Sequence, residues 1–394
     1  MEWKDTKLSE VTTILGDGIH GTPKYSDCGE YYFINGNNLD HGRIVIKTDT
    51  KKVSYSEYLK YKKELNNRTL FVSINGTIGN VAKYNGEPCI LGKSACYFNV
   101  KNDVDRDFIY YVISSPKFIN EISNQATGTT IKNVSLKQMR DYKFKLPIDI
   151  NDQQKIASIL SSLDAKIENN NKINANLEAQ AQALFKSWFV DFEPFQDGEF
   201  QDSELGRIPK GWKVLSFPQF LEASKEKVPN DSIPEFSVTN TGIHPRDEKF
   251  NKSLSKSSLK NKLLKKGNLV FGMSREILNW GVMKDNIGGV SSAYNIYIVD
   301  EKLVSPLYLE LFIKYHISYF HDLIKPATRE GQSLDKNALM RKFIYVPTHK
   351  EWDKFLSIYN CLYNQIGICN QQTKSLSTLR DTLLPKLMSG EIEV

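Results

Sequence analysis

The chain has no run of about 18 apolar residues, so no stretch of it reads as a membrane-spanning helix. Met1 is followed by Glu2, Trp3, Lys4 and Asp5 rather than by a basic and then apolar leader, and the chain reads as cytoplasmic and soluble. Its five cysteines, Cys28, Cys89, Cys96, Cys361 and Cys369, include no CxxC pair, and their odd number argues against a disulfide framework. Six histidines are scattered without metal-ligand spacing, which disfavours a zinc site. No glycine-rich fingerprint opens a helix, and neither a Pro-Pro-aromatic methylation motif nor a Pro-Asp…Glu-x-Lys nuclease cluster is present. The run Gly86 to Ser94 approaches a phosphate-binding loop, but it has five residues between its glycines where that motif has four, and a strand-like run follows it. Catalytic chemistry of the chain's own therefore has no visible seat.

What the chain does have is a repeat. Residues 151–189 and 350–388 align without a gap at a shift of 199, so that Lys155/Lys354, Ser158/Ser357, Ile159/Ile358, Leu163/Leu362, Ile167/Ile366, Asn171/Asn370, Leu177/Leu376 and Leu184/Leu383 coincide. In the first copy Ile156, Leu160, Leu163, Ile167, Asn170, Asn174, Leu177, Ala181, Leu184 and Trp188 step alternately by four and three, which is a heptad seam. The second copy continues the pattern with Phe355, Tyr359, Leu362, Ile366, Cys369, Thr373 and Leu376. Asn170 and Asn174 interrupt the first seam midway, and polar residues at seam positions fix register at some cost in stability. Each helix follows a proline, Pro147 or Pro347, and Asp149 or Asn151 can cap the first.

The 394 residues, 40% of them hydrophobic, suffice for two ordinary domains beside these helices. The expected architecture is α/β (α+β): two globular bodies and two long helices pairing as an antiparallel coiled coil with an internal pseudo-two-fold. The boundaries read as 1–150, first body; 151–192, first helical spacer; 193–206, an acidic linker punctuated by Pro and Gly; 207–347, second body; 348–394, second spacer. Strands are expected at Tyr31–Phe33, Thr69–Ile74, Ala95–Val100, Leu269–Met273 and Tyr294–Val299, and short helices at Phe108–Ser114 and Leu307–Lys314.

Charge divides along the same lines. Residues 1–150 carry 21 Lys and Arg against 17 Asp and Glu, and residues 206–347 carry 22 against 14, whereas residues 151–205 carry 4 against 10 and residues 348–394 carry 5 against 5. Basic bodies suit a polyanion and uncharged or acidic helices suit proteins. Lys249 to Lys266 holds seven lysines and no acid. The bodies also carry polar loops relieved by glycine: Asp17 to Tyr25, Asn35 to Asn38, Asn75 to Asn80 and Thr127 to Lys132 in the first, Asn240 to His244, Ser274 to Glu276, Asn279 to Gly281 and Thr328 to Ser333 in the second. Glycine lets backbone approach a partner, while Asn, Thr, Lys and His supply donors and acceptors for base edges and phosphates. The residues expected to face nucleic acid are Lys24, Asn37, Asn38, Thr77, Asn80, Thr129 and Lys132 in the first body, and Arg275, Asn279, Arg329 and Gln332 in the second.

Several segments together resemble a known family. They are Gly76-Thr77-Ile78-Gly79-Asn80-Val81-Ala82, Ala126-Thr127-Gly128-Thr129-Thr130, Gln153-Gln154-Lys155-Ile156-Ala157, Leu184-Phe185-Lys186-Ser187-Trp188-Phe189 and Thr382-Leu383-Leu384-Pro385-Lys386-Leu387-Met388-Ser389-Gly390. Over its whole length the chain resembles the specificity (S) subunit of type I restriction-modification systems. The resemblance implies a non-catalytic subunit whose two target-recognition domains each read half of a bipartite, asymmetric sequence in double-stranded DNA. Its helical spacers would dock two methyltransferase (M) subunits, with restriction (R) subunits in the full complex. No cofactor is implied for this chain; S-adenosylmethionine, and ATP and Mg for cleavage, would belong to the partners. Two departures stand out: Ser274-Arg275-Glu276-Ile277-Leu278 replaces the Gly-Thr-Ile-Gly loop in the second body, and Glu351-Trp352-Asp353 replaces the opening Gln pair of the second spacer. The rival readings are a self-contained DNA methyltransferase or nuclease with divergent motifs, and a protein-only coiled-coil scaffold.

If the helices set the distance between the half-sites, inserting four residues into both seams lengthens the unread spacer and leaves the half-sites unchanged. A methylation-protection assay reads this directly, and unchanged spacing would refute it.

Overall fold

The computed structural model describes residues 1–128, 132–246, 254, 258–274, 276–324 and 334–394. They form two compact units, one of Met1–Ala175 with Ile366–Val394 and one of Asn176–Gln365. This division cuts across the body-and-spacer boundaries expected from sequence, because each unit takes one body and a piece of both long helices.

Those helices run Ile150–Phe189 and His349–Ser389, 40 and 41 residues, or about 60 Å each at a rise of about 1.5 Å per residue. No described helix is long and apolar enough to cross a membrane. The two starts are built differently. At the first, Asp149 Oδ1 accepts from Asn151 N at 2.9 Å, and the buried Gln153 side chain donates to Pro147 O at 2.7 Å and accepts from Asp105 N at 2.8 Å. At the second, Thr348 and Glu351 form a capping box, with Thr348 N donating to Glu351 Oε2 at 3.0 Å and Glu351 N donating to Thr348 Oγ1 at 3.4 Å. Trp352, at the position equivalent to Gln153, is buried among aromatic rings, so the departure from the Gln pair exchanges a polar clamp for an apolar one.

Within each unit the helical pieces run antiparallel. In the first, Asp164 Oδ1 accepts from Arg380 Nη1 at 2.8 Å, Asn170 Nδ2 reaches Gln372 Oε1 at 3.5 Å and Asn174 Nδ2 donates to Asn370 Oδ1 at 2.8 Å, so partner numbers fall as the first helix advances. Tyr111 OH donates to Asp164 Oδ2 at 2.7 Å, tying the body to the same carboxylate. In the second unit, Phe185 and Phe189 pack edge-on to Phe355, with ring centroids 5.9 and 4.9 Å from its own. Here the seam departs from the heptad count: Phe185 and Phe189 are fully buried while Leu184 and Trp188 are half-buried. The helix enters the body at this end and takes its core contacts there on the neighbouring face.

Each body is framed by a four-stranded antiparallel sheet with one topology used twice. In the first the order is Thr12–Asp17, Ala95–Val100, Thr69–Ser73, Val81–Lys83; in the second it is Leu221–Ser224, Asn295–Val299, Leu269–Phe271, Trp280–Val282. Ala95–Val100 is buried at every residue because it lies between two partners and under the helices Arg106–Ser114 and Pro116–Gln125, which suits its apolar, β-branched and aromatic composition. A second pairing, Trp3–Lys7 with Lys143–Pro147 and its counterpart Lys213–Ser216 with Phe343–Val346, leads the chain into each long helix. Leu70, Val72, Phe98, Phe108 and Phe118 pack with Ile156, Leu160, Leu384 and Leu387 in the first core. Phe217, Phe271, Tyr308 and Phe312 pack with Phe185, Phe189 and Phe355 in the second. Truncating one such phenylalanine to alanine typically costs about 3–5 kcal/mol.

The segment 193–206 is not a featureless linker. Glu193–Phe195 forms a 3-10 turn, and Phe200–Ser203 pairs with Gly206–Pro209 as a hairpin. Phe192 enters this turn in the left-handed region at φ 55°, which a bulky residue adopts only when held. The rings of Trp212 and Tyr345, at 5.4 and 5.6 Å, hold it.

Half-buried His316 joins this core through a relay. Tyr345 OH donates to Phe189 O at 2.7 Å, so the ring Nε2 at 3.1 Å is suited to donate to that hydroxyl oxygen. Burial lowers the His316 pKa from 6.5. The folded protein thus binds its proton less tightly than the unfolded chain, giving a stabilisation that is present above the unfolded pKa and lost as pH falls through the folded one. Thermal melts between about pH 7.5 and about pH 5 are expected to lose less stability in His316→Asn than in the parent, and equal losses would contradict this account.

Candidate nucleic-acid interface

In the first unit three of the polar loops meet at one turn, Gly92-Lys93-Ser94, between the strands Cys89–Leu91 and Ala95–Val100, and a fourth joins through the third. The loop after Asp17 is stitched by Ile19 N donating to Leu91 O at 2.8 Å, and a Cβ at Gly18 would lie 2.1 Å from that carbonyl oxygen, so only glycine allows the approach. The Asn35–Asn38 loop is held by Gly36 N donating to Ser94 Oγ at 2.9 Å and by Ser94 Oγ donating to Asn35 Oδ1 at 3.0 Å. Ile74 N donates to Ser94 O at 3.0 Å, which brings in the loop that opens at Asn75. That loop meets the fourth: Asn75 Nδ2 donates to Asn133 Oδ1 at 3.2 Å, Gly76 N to Lys132 O at 3.4 Å and Val134 N to Ile74 O at 2.9 Å. Gly79 adopts φ +91°, and a Cβ there would press to 3.1 Å on Ile119. The run Gly86 to Ser94 that approached a phosphate-binding loop is thus a strand and a tight turn.

In the second unit the turn after Leu269–Phe271 packs beside the hairpin Phe236–Thr239/Gly242–Pro245. A Cβ at Gly281 would come within 2.7 Å of Ile243, and one at Gly272 within 3.3 Å of Val238. The hairpin tip carries a hydroxyl and imidazole pair, Thr241 Oγ1 and His244 Nε2 at 2.9 Å. Exposed Met273 and Ile277 flank the turn.

Residues 1–179 match the family described as the type I restriction modification DNA specificity domain. The type I restriction enzyme MjaIX specificity subunit of Methanocaldococcus jannaschii is 28% identical over 311 residues, 75% of this chain and 71% of that protein. Among solved structures, the S subunit of a type I restriction-modification system from M. genitalium superposes with a TM-score of 0.54 at 16% identity, over 98% of this chain and 96% of that one. A chain from a structure of type I R-M assembly and conformational transition gives 0.52 at 13% identity, over 99% and 98%. The chain is similar to the type I specificity subunits, in sequence through these matches and in fold over its length. These are the non-catalytic members of their systems, and two sheets of one topology fit that family's fold.

Of the residues expected to face nucleic acid, Lys24, Asn37, Thr77 and Lys132 are exposed and Asn80 is half-buried. Asn37, Thr77 and Asn80 lie in the loops stitched to the Gly92–Ser94 turn, Lys132 in the loop bonded to the one that opens at Asn75, and Lys24 in the loop segment anchored by its own amide on Glu57 Oε1 at 3.0 Å. Asn38 is a correction. It is buried, its amide nitrogen donates to Val45 O at 3.0 Å and to Thr50 Oγ1 at 3.1 Å, and its oxygen accepts from Asn35 N at 3.0 Å. A side chain so enclosed shapes its loop and cannot face a partner. Asn279 is half-buried, its amide nitrogen donating to Met273 O at 2.5 Å and its backbone N to Ser274 Oγ at 2.7 Å, so part of its role is to close its own turn. Thr129, Arg275, Arg329 and Gln332 lie outside the described residues. Of the lysine-rich run, Lys262 donates to Tyr294 O at 2.5 Å and Lys265 pairs with Glu226 at 2.7 Å, so both serve the fold.

Two exposed cationic or polar groups at the loop edge escaped the sequence reading, Lys93 at the central turn and His20, whose Nε2 lies 2.9 Å from Asp17 Oδ2. The signal for Lys93 was present in the Gly-Lys-Ser triplet, whose meaning depends on the strand pairing around it. Among the described residues no group of three His, Cys, Asp or Glu could hold a metal ion.

Ser94→Ala removes the acceptor of Gly36 N and the donor to Asn35 in one change. Leaving these groups unpaired is expected to cost about 1–3 kcal/mol in chemical denaturation. A change within error would mean that the loops are gathered by backbone alone.

Proposed function

We propose that this chain is a specificity subunit and reads double-stranded DNA as a bipartite, asymmetric sequence, one half-site for each unit. The observation that carries the reading is one sheet topology used twice, with polar, glycine-relieved loops at its strand ends whose side chains differ between the units. A shared frame with unlike loops suits two readers of unlike sequence. The target-recognition domains correspond to residues 1–150 and 207–347, and Lys24, Asn37, Thr77, Asn80, Lys93 and Lys132 contact DNA in the first. Thr129 in the first domain and Arg275, Asn279, Arg329 and Gln332 in the second complete the set proposed from sequence. Excess positive charge in both bodies supports phosphate contact, which supplies most of the sequence-independent affinity.

The long helices dock two methyltransferase subunits, through which restriction subunits join. Their seams carry Asn170 and Asn174 as register-setting residues, supported by the hydrogen bonds to Gln372 and Asn370. S-adenosylmethionine, ATP and Mg enter with those partners.

The test is to co-express the chain with its methyltransferase subunit, purify the assembly and sequence methylated positions in genomic DNA. The expected outcome is a single bipartite asymmetric motif. A continuous palindrome, or methylation by the chain alone, would overturn the reading.

A further inference from the structure

The two units also differ at a place outside the loops proposed to read DNA. In the first, a hollow of about 430 Å³ opens beside the pairing of Trp3–Lys7 with Lys143–Pro147. Its floor is apolar, formed by Val112, Tyr142, Phe144, Pro385 and Met388, and its rim carries Lys117, Lys143 and Lys145 against a single acid, Asp5. All three lysines are exposed, and none takes part in an ion pair among the described residues.

Strand register fixes the counterparts in the second unit. Asp5 faces Lys145 and Lys7 faces Lys143 in the first pairing, as Val214 faces Tyr345 and Ser216 faces Phe343 in the second. Helix starts at Asp105 and Ser305 likewise equate Val112 with Phe312, and beyond them Pro116 with His316 and Lys117 with Ile317. The second unit fills the equivalent space with its own rings: Phe312 lies 5.1 Å from Tyr345 and 4.5 Å from His316, centroid to centroid. Outside them its own acidic segment, Asp191-Phe192-Glu193-Pro194-Phe195, lays Phe192 against Tyr345 at 5.6 Å. The first unit has the smaller Val112 and Pro116 where those rings stand, and lysine at each of the three positions that are apolar in the second.

We propose that the lysine-rimmed hollow of the first unit seats an aromatic side chain carried on an acidic segment of a partner protein. The floor supplies apolar contact for one ring, and the lysines supply charge complementary to flanking carboxylates. Both halves of that chemistry are ones the second unit provides for itself from the same chain. The proposal concerns protein docking and stands whether or not the loops read DNA.

A fluorescein-labelled Gly-Asp-Glu-Phe-Asp-Glu-Gly peptide, titrated with the full-length chain and followed by anisotropy, is expected to bind saturably. Replacing its Phe by Ala should weaken binding about tenfold, as loss of a buried anchor does. Val112→Phe, which introduces the residue found at 312, should abolish binding by filling the hollow. Lys143→Glu with Lys145→Glu, a surface change that leaves the core intact, should weaken it at least as much as loss of the Phe. The proposal falls if no saturable binding occurs, if the Ala peptide binds equally, or if neither variant weakens binding. It falls as well if the chain self-associates through this hollow, seen as dimers in analytical ultracentrifugation that Val112→Phe removes.

Discussion

Neither body completes its hydrophobic core from its own stretch of sequence. Ile156 and Leu160 enter the first core from one long helix and Leu384 and Leu387 from the other, while Phe185, Phe189 and Phe355 do the same in the second. Each unit therefore depends on segments that lie about half the chain apart, and the antiparallel direction of the helical pieces follows from that requirement. The polar contacts of Asp164, Asn170 and Asn174 are placed where this apolar packing gives way. They select one alignment among those a purely apolar seam would tolerate.

The duplicated frame carries unequal fillings. Gln153 clamps the first helix by two hydrogen bonds, whereas Trp352 clamps the second by ring packing. Val112 and Lys145 leave space where Phe312 and Tyr345 fill it. Volume has been moved between equivalent positions while strand order and register stayed constant, as expected where topology is set by pattern and interior detail by local packing.

Strands and helices were legible where composition and period agreed. Ala95–Val100 was read to its ends, and the helix expected at Phe108–Ser114 runs Arg106–Ser114. The loops were legible as glycine-relieved and polar, but not the direction of their side chains. Asn38 and Asn37 are neighbours of one type, and only the hydrogen bonds to Val45 and Thr50 tell the enclosed one from the exposed one. The turn and hairpin in 193–206 were missed because their apolar anchors, Phe192 and Phe195, find Trp212 across a loop rather than at any periodic spacing. The shift of burial from Leu184 to Phe185 was equally hidden, since a heptad count knows the partner helix and not the body that the helix enters.

Shared cores also constrain the order in which the molecule can be made. The first body leaves the ribosome early, yet its unit includes Ile366–Val394, which are synthesised only after the whole second unit, Asn176–Gln365. At about 5–20 residues per second, Ile156 and Leu160 wait on the order of ten seconds or more for Leu384 and Leu387. During that interval the nascent first body shows an uncovered apolar stripe. What is translated first is completed last.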